Sequence, residues 1–195
     1  MRWEAIVLAA GAGRRFGGRK LVAPFEGRPL IAGALDAAFA SPARGVILAT
    51  DGDAELIRIA HDQARALGRA GDLRVIVVED AAEGMGASLR AAARHLPDDA
   101  AGVFIFLGDM PRIPPTVPVA LAGAMEGTAD VAAPCFEGRR GHPVLFGRAH
   151  FAALRALQGG VGAQGVLAAA DLRLKLVDSS DAGVLFDVDR PEDLA

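Results

Sequence analysis

Leu8-Ala9-Ala10-Gly11-Ala12-Gly13-Arg14-Arg15-Phe16-Gly17-Gly18-Arg19-Lys20 continues the apolar run Ala5-Ile6-Val7. A buried strand that empties into such a loop offers backbone N–H groups with no side chains in the way. Four cations, Arg14, Arg15, Arg19 and Lys20, add positive charge. Together these features make a cradle for a polyphosphate. Two common phosphate loops do not fit. As a dinucleotide loop, Gly11 and Gly13 are in place, but Phe16 stands where the third glycine is needed and Gly17 comes one residue late. As a P-loop, Gly13 and Gly18 are spaced correctly, but Arg19 takes the lysine position and Lys20 is followed by Leu21. A third kind of nucleotide loop is the better reading. In isolation the stretch also fits a glycine-rich strand-to-helix turn with solvated arginines.

Short apolar runs alternate with amphipathic helical patterns on either side of this loop. Trp3–Ala9, Gly45–Thr50, Leu73–Glu79 and Gly102–Leu107 are bounded by turn signals and read as buried strands. Pro29–Ala40, Asp53–Leu67 and Met85–His95 read as helices, with Pro29 in a first turn and Asp53 as an N-cap. This βαβαβαβ order predicts an α/β fold: a mostly parallel sheet covered on both faces, with the ligand crevice at the C-terminal strand ends. After Pro111 the pattern loosens. Strands are expected at Asp130–Pro134, Pro143–Phe146, Leu172–Val177 and Val184–Val188, and helices at Ala149–Leu157 and Gln164–Ala170.

The 195 residues are read as one domain, 1–195, large enough to bury roughly 70% of its unfolded surface. Hydrophobic content of 52% against 23% charged residues is globular. A net charge of −3 and a pI near 5.8 argue against a general nucleic-acid surface, so any basic site is local. Cys135 is the one cysteine, which rules out an internal disulfide and fits a reducing cytosol. Arg2 before Ala5–Ala10 looks like the start of a signal peptide, but that stretch is short and Arg14 and Arg15 follow too soon. No segment approaches the ~18–20 apolar residues that span a bilayer. The expectation is a soluble cytoplasmic protein without nucleic-acid or membrane partners.

Four further stretches carry chemistry. Gly108-Asp109-Met110-Pro111 follows a predicted strand and puts a carboxylate at the crevice, where Mg²⁺ takes one or two carboxylates plus phosphate oxygens. A turn-forming aspartate is the alternative. Asp187-Val188-Asp189 places two carboxylates on one face of an extended segment, either of which can join Asp109 on a metal. Asp189 can also cap the helix that Pro191 opens. Gly84-Met85-Gly86-Ala87-Ser88-Leu89 is a second glycine turn whose amides and Ser88 hydroxyl suit a base or ribose, or only a loop-to-helix transition. Arg139-Arg140-Gly141-His142-Pro143 gathers cations suited to a phosphate monoester, or forms a solvated loop.

In this order the motifs resemble those of the MobA-like nucleotidyltransferases, and within them the molybdenum cofactor cytidylyltransferases. The resemblance runs almost end to end: Leu8-Ala9-Ala10-Gly11 with Arg15 and Lys20, Gly84–Leu89, Gly108–Pro111, Arg140–Phe146, and Asp187-Val188-Asp189 before Pro191-Glu192-Asp193-Leu194. It implies a Rossmann-like three-layer sandwich of the nucleotide-diphospho-sugar transferase type. It further implies CMP transfer from CTP to the terminal phosphate of molybdopterin, with pyrophosphate leaving. Arg15, Lys20 and Asp109 would be catalytic. Leu8, Ala9, Ala10, Gly11, Ala12, Gly13, Arg15, Lys20, Gly84, Ser88 and Asp109 would hold the nucleotide. Asp109 with Asp187 or Asp189 would hold Mg²⁺, and Arg140 and His142 would face the pterin. A molybdoenzyme or chaperone receiving the cofactor is an implied partner. Ala10 and the Gly84–Ser88 stretch resemble the CTP-using branch. Gly160 and Gln164 stand where the family often has Asp and Arg, and Glu79 where relatives often have Asn. Those departures keep other readings open: a transferase using GTP or another phosphorylated acceptor, or a nucleotide-binding regulator without turnover.

Overall fold

A computed structural model describes residues 1–11, 18–125, 130–159, 162–168 and 173–194. In chain order the strands and helices are β1 (Trp3–Ala9), β2 (Pro24–Phe25), β3 (Arg28–Pro29), α1 (Ile31–Ala40), β4 (Ala43–Thr50), α2 (Ala54–Ala66), β5 (Leu73–Val77), α3 (Met85–Ala93), β6 (Gly102–Leu107), α4 (Thr116–Ala124), β7 (Val131–Phe136), β8 (Arg139–Arg140), β9 (Val144–Gly147), α5 (Phe151–Arg155), α6 (Gln164–Leu167) and β10 (Leu174–Asp178). The main sheet runs β10-β7-β9-β6-β1-β4-β5, with β8 paired to β7. β1 pairs in parallel with β4 and β6, β4 with β5, and β10 with β7, whereas β9 lies antiparallel between β6 and β7. The expected α/β sandwich with a mostly parallel sheet is therefore the observed fold.

Alternation along β1 divides the core. Trp3, Ala5, Val7 and Ala9 pack on one face with α1, α2 and α4, through residues such as Leu35, Ala60 and Leu121. Ile6, Leu8 and Ala10 pack on the other with Leu89 of α3 and Phe151 and Leu154 of α5. Because both faces are covered, the strand reads as a continuous apolar run from Ala5 onward, after the buried Glu4 that pairs with Arg44. The chain moves outward from β1 to β4 and β5, then returns to add β6 on the other side of β1. That reversal puts the crevice of an open α/β sheet at the C-terminal ends of β1 and β6.

Several boundaries differ from expectation, each for a local reason. Pro29 is in β3 and not in a helical turn, because Glu26 and Gly27, at φ 49° and 79°, close a tight β2–β3 hairpin and α1 starts two residues later. Val184–Val188 is not a ladder strand. Asp181 accepts from the Gly183 N–H at 2.7 Å and turns residues Ala182–Leu185 into a 3-10 helix, after which Phe186 is extended and residues 187–189 form no regular element. Helix α4 lies within the stretch that looked irregular; Pro115 precedes it and Pro118 sits in its first turn, where no N–H is needed. Asp53 caps α2 as expected, accepting from the amides of Glu55 and Leu56. No helix among the described residues is long and apolar enough to cross a membrane.

Candidate active site

A cleft of about 480 Å³ opens where β1 and β6 end. Its floor is Leu8, Ala10 and Gly11 from the end of β1, and Leu107 and Asp109 from the end of β6. Backbone hydrogen bonds fix their mutual position: Gly108 N–H donates to the Leu8 carbonyl at 2.9 Å, and Val188 N–H donates to the Asp109 carbonyl at 3.0 Å. The second bond brings the C-terminal segment alongside the β6 loop. Val188 is buried in the core, whereas Asp187 and Asp189 on either side of it are exposed.

Lys20 stands at the centre of the charge. Its Nζ donates to Asp109 Oδ2 at 2.7 Å and lies 3.7 Å from Asp189 Oδ1. The Lys20 side chain is only 12% exposed and that of Asp109 24%, so this pair is shielded from water more than a surface ion pair. The carboxyl of Asp187 is held above the ordinary carboxylate range, first by partial burial and then by the negative charge of Asp189 and Asp109. Among the described residues no three His, Cys, Asp or Glu side chains form a ready-made metal cage. Two or three carboxylates around one lysine still suit a Mg²⁺-like ion, which takes few protein ligands and completes its shell with water and phosphate oxygens.

The opposite wall is the β5–α3 connection: Ala81, Ala82, Gly84, Met85 and Ser88. Gly84 adopts φ 116°, open only to glycine at low cost, and Ser88 is buried on the first turn of α3. The Arg90 guanidinium straps this wall together. It donates to Asp80, just before the Ala81–Glu83 turn, to Glu83, the last residue of that turn, and to the Leu157 carbonyl after α5.

The expected residues sort as follows. Leu8, Ala10, Gly11, Lys20, Gly84, Ser88, Asp109 and Asp189 meet in the cleft. Ala9 turns its methyl group into the opposite core. Ala12, Gly13 and Arg15 lie outside the described residues. Arg19 does not face the cleft: in a left-handed conformation, it pairs with Asp53 and Glu55 at the head of α2. The amides of Asp189 and Arg190 are taken by the Asp193 carboxylate, at 2.9 and 2.8 Å. Arg140 is exposed on β8, and neither it nor His142 contributes to the lining. Burial lowers the His142 pKa, opposed by a hydrogen bond with the Ile105 backbone and by the charge of Asp109. Its Nδ1 is buried without a hydrogen-bond partner among the described residues. Leu21, Ala81, Ala82, Met85 and Leu107 are lining residues that sequence reasoning missed.

A family model described as the MobA-like NTP transferase domain matches residues 5–175. Bifunctional protein GlmU of Sorangium cellulosum (strain So ce56) is 27% identical over 146 residues, which is 74% of this chain and 30% of that protein. The chain thus spans less than a third of that relative's length. Rv0371c from Mycobacterium tuberculosis H37Rv superposes with a TM-score of 0.78 at 26% identity, covering 99% of this chain and 95% of that one. A homologue from mycobacterium sp. strain JC1 gives 0.81 at 27%, covering 99% and 94%. Rv0371c has also been solved in complex with manganese, and that structure superposes at 0.75 with 26% identity, covering 99% and 96%.

Proposed function

Because the chain belongs to the MobA-like NTP transferase domain family, we propose that it transfers CMP from CTP to the terminal phosphate of a molybdopterin-type cofactor, releasing pyrophosphate. The whole chain, 1–195, would act as one domain in the cytoplasm. The observation that carries this reading is the meeting of Lys20, Asp109 and Asp189 in one cleft with the Gly84–Ser88 wall. For CTP, the support is the resemblance of Ala10 and the Gly84–Ser88 stretch to the CTP-using branch.

The acceptor in this reading is a phosphate monoester, whose second pKa near ~6 leaves it largely dianionic at neutral pH. It needs no general base. One of its oxygens bonds to the α-phosphorus in line with the bond to the bridging oxygen, which breaks as pyrophosphate departs. The obstacle is anion meeting anion, so alignment and fixed positive charge do the catalytic work. Lys20 and the amide of Gly11 hold the polyphosphate, with Arg15 assigned to the same task. Gly84 and Ser88 receive the base and ribose, while Arg140 and His142 meet the acceptor. Asp109, with Asp187 or Asp189, would hold a divalent cation (Mg²⁺ in the cell), which when bound supplies charge to the phosphate oxygens. The manganese complex of Rv0371c supports a divalent ion here.

The test offers each NTP with Mg²⁺ and molybdenum-loaded pterin cofactor and measures pyrophosphate and dinucleotide product. Turnover of CTP alone, abolished in Lys20→Ala and Asp109→Ala, is the expected result. Preference for GTP would overturn the nucleotide assignment. Binding without turnover of any NTP would replace the transferase by a nucleotide-binding regulator.

A further inference from the structure

We infer that Lys20 is a mobile internal counter-ion: it neutralises Asp109 and Asp189 until a nucleotide draws it away, and these carboxylates then bind a divalent cation more tightly than before. The inference rests on the transferase reading of the same cleft and adds an order to its assembly.

Three observations carry it. First, the Lys20 ammonium is 2.7 Å from Asp109 and 3.7 Å from Asp189, at the centre of the negative charge that would hold the cation. An ammonium and a divalent ion repel each other strongly at such range, so they compete for the two carboxylates. Second, the adjoining Arg19 is tied to Asp53 and Glu55 on α2. These ion pairs hold the chain beside Lys20, whose ammonium is carried on a flexible four-carbon stem. Third, the chain has two lysines, Lys20 and Lys175, against nineteen arginines. Arginine locks onto a carboxylate through a planar two-pronged fork, whereas a lysine ammonium is a point charge on a flexible stem. In a chain so rich in arginine, the cation that lines the cleft among the described residues is a lysine.

The consequence is a linkage. A polyphosphate in the cleft offers Lys20 a new anionic partner and releases Asp109 and Asp189, so nucleotide and cation strengthen each other's binding. In the absence of nucleotide, Lys20 opposes the metal. The sign is unusual for a residue assigned to catalysis, since its removal should improve metal binding.

The experiment titrates Mn²⁺ alone, without nucleotide or acceptor, into the full chain and reads free Mn²⁺ by electron paramagnetic resonance. Lys20→Met is expected to bind Mn²⁺ about tenfold tighter than the wild type, within the usual range of coupling between sites. Lys20→Arg, which keeps the charge, is expected to bind no tighter. Equal or weaker Mn²⁺ binding by Lys20→Met overturns the proposal. Should that variant fail to fold, the wild type decides. Selective ¹³C labelling of lysine gives two side-chain signals, with the exposed Lys175 as reference. Mg²⁺ with CTP, or with GTP in a parallel sample, is expected to shift the Lys20 signal well beyond what the same Mg²⁺ produces alone. A Lys20 signal unmoved by either nucleotide overturns the proposal. Neither readout involves turnover. A chain that exchanges Lys20 but releases no pyrophosphate fails the transferase reading only. One that turns over CTP with equal Mn²⁺ affinity in both forms fails the counter-ion only.

Discussion

Gly33→Ala is expected to separate stability from activity. Gly33 is the third residue of α1, and a Cβ built there would lie 2.1 Å from the Pro111 carbonyl oxygen, against 3.4 Å for ordinary contact. Either the helix or the Gly108–Arg112 loop must retreat by more than ~1 Å. The loop has no room behind it: a Cβ at Gly183 would meet the Arg112 carbonyl oxygen at 2.0 Å, so the loop is pressed between two residues that both lack side chains. Overpacking of this kind costs about 1–3 kcal/mol. Replacing a helical glycine by alanine returns up to about 1 kcal/mol. The net loss of about 0–2 kcal/mol lowers Tm by only several degrees in a chain of this size. Asp109 lies two residues before Pro111, and its displacement by about 1 Å is expected to reduce pyrophosphate release about 100-fold. Calorimetry with the pyrophosphate assay and Mn²⁺ titration checks both halves. A Gly33→Ala protein with unaltered turnover and Mn²⁺ affinity would refute the claim that this contact positions Asp109.

Asp53→Ala removes the α2 N-cap, which accepts from Glu55 N–H at 2.9 Å, and should cost about 1 kcal/mol in chemical denaturation, whereas Asp53→Asn keeps the cap and costs less. Its hydrogen bond from Arg19 is the main reason its carboxyl is held below the ordinary value, so the stability it lends is present above about pH 4 and disappears as pH falls through the lower folded value. The gap between wild type and Asp53→Asn should close in that acidic window; a gap that widens there would contradict the assignment. Asp187→Asn relieves like-charge repulsion from Asp189 and Asp109, and is expected to raise Tm in metal-free buffer at pH 7 while weakening Mn²⁺ binding. A lower Tm would show that Asp187 stabilises the apo cleft.

The parts of the fold that were legible are those where one local rule decides. β1 and β6 appear at their expected residues because a strand buried on both faces is mostly a continuous apolar run closed by turn residues, broken in β1 by Glu4 alone. Asp53 was legible because capping depends on a few neighbouring amides. The hairpin of β2 and β3 was not, since two-residue strands have no periodicity; its one signal was Glu26-Gly27 between Phe25 and Arg28. Helix α4 was hidden by Pro114, Pro115 and Pro118, which crowd its start and mimic a loop. Val184–Val188 alternates like a strand, but a carboxylate at Asp181 and close packing of Gly183 against Arg112 turn its first half into a 3-10 helix.

The site divides on the same principle. Asp109 was legible because it sits just beyond a strand whose C-terminal end must face the crevice, and Lys20 because it closes the glycine-rich, basic stretch that follows β1. The side Arg19 takes was not, since a single left-handed residue with φ 47° sends its guanidinium to α2. Nor does any local pattern say that Asp189 joins Lys20, because that meeting depends on contacts between distant segments. Leu8 is tied to Gly108, Asp109 to Val188, and Val184 to His142, all through backbone hydrogen bonds of 2.9–3.0 Å. These bonds fix main chain, not side chains, so the carboxylates of Asp109 and Asp189 are held close at the expense of folding and not of ligand binding. Their mutual repulsion is built in before a substrate arrives, and Lys20 is a cation among the described residues that offsets it. The main chain of the cleft is preorganised in this way, so a change of partner by Lys20 would need movement of one side chain and not of the fold. Its resting lysine is therefore part of the same electrostatic design as its carboxylates.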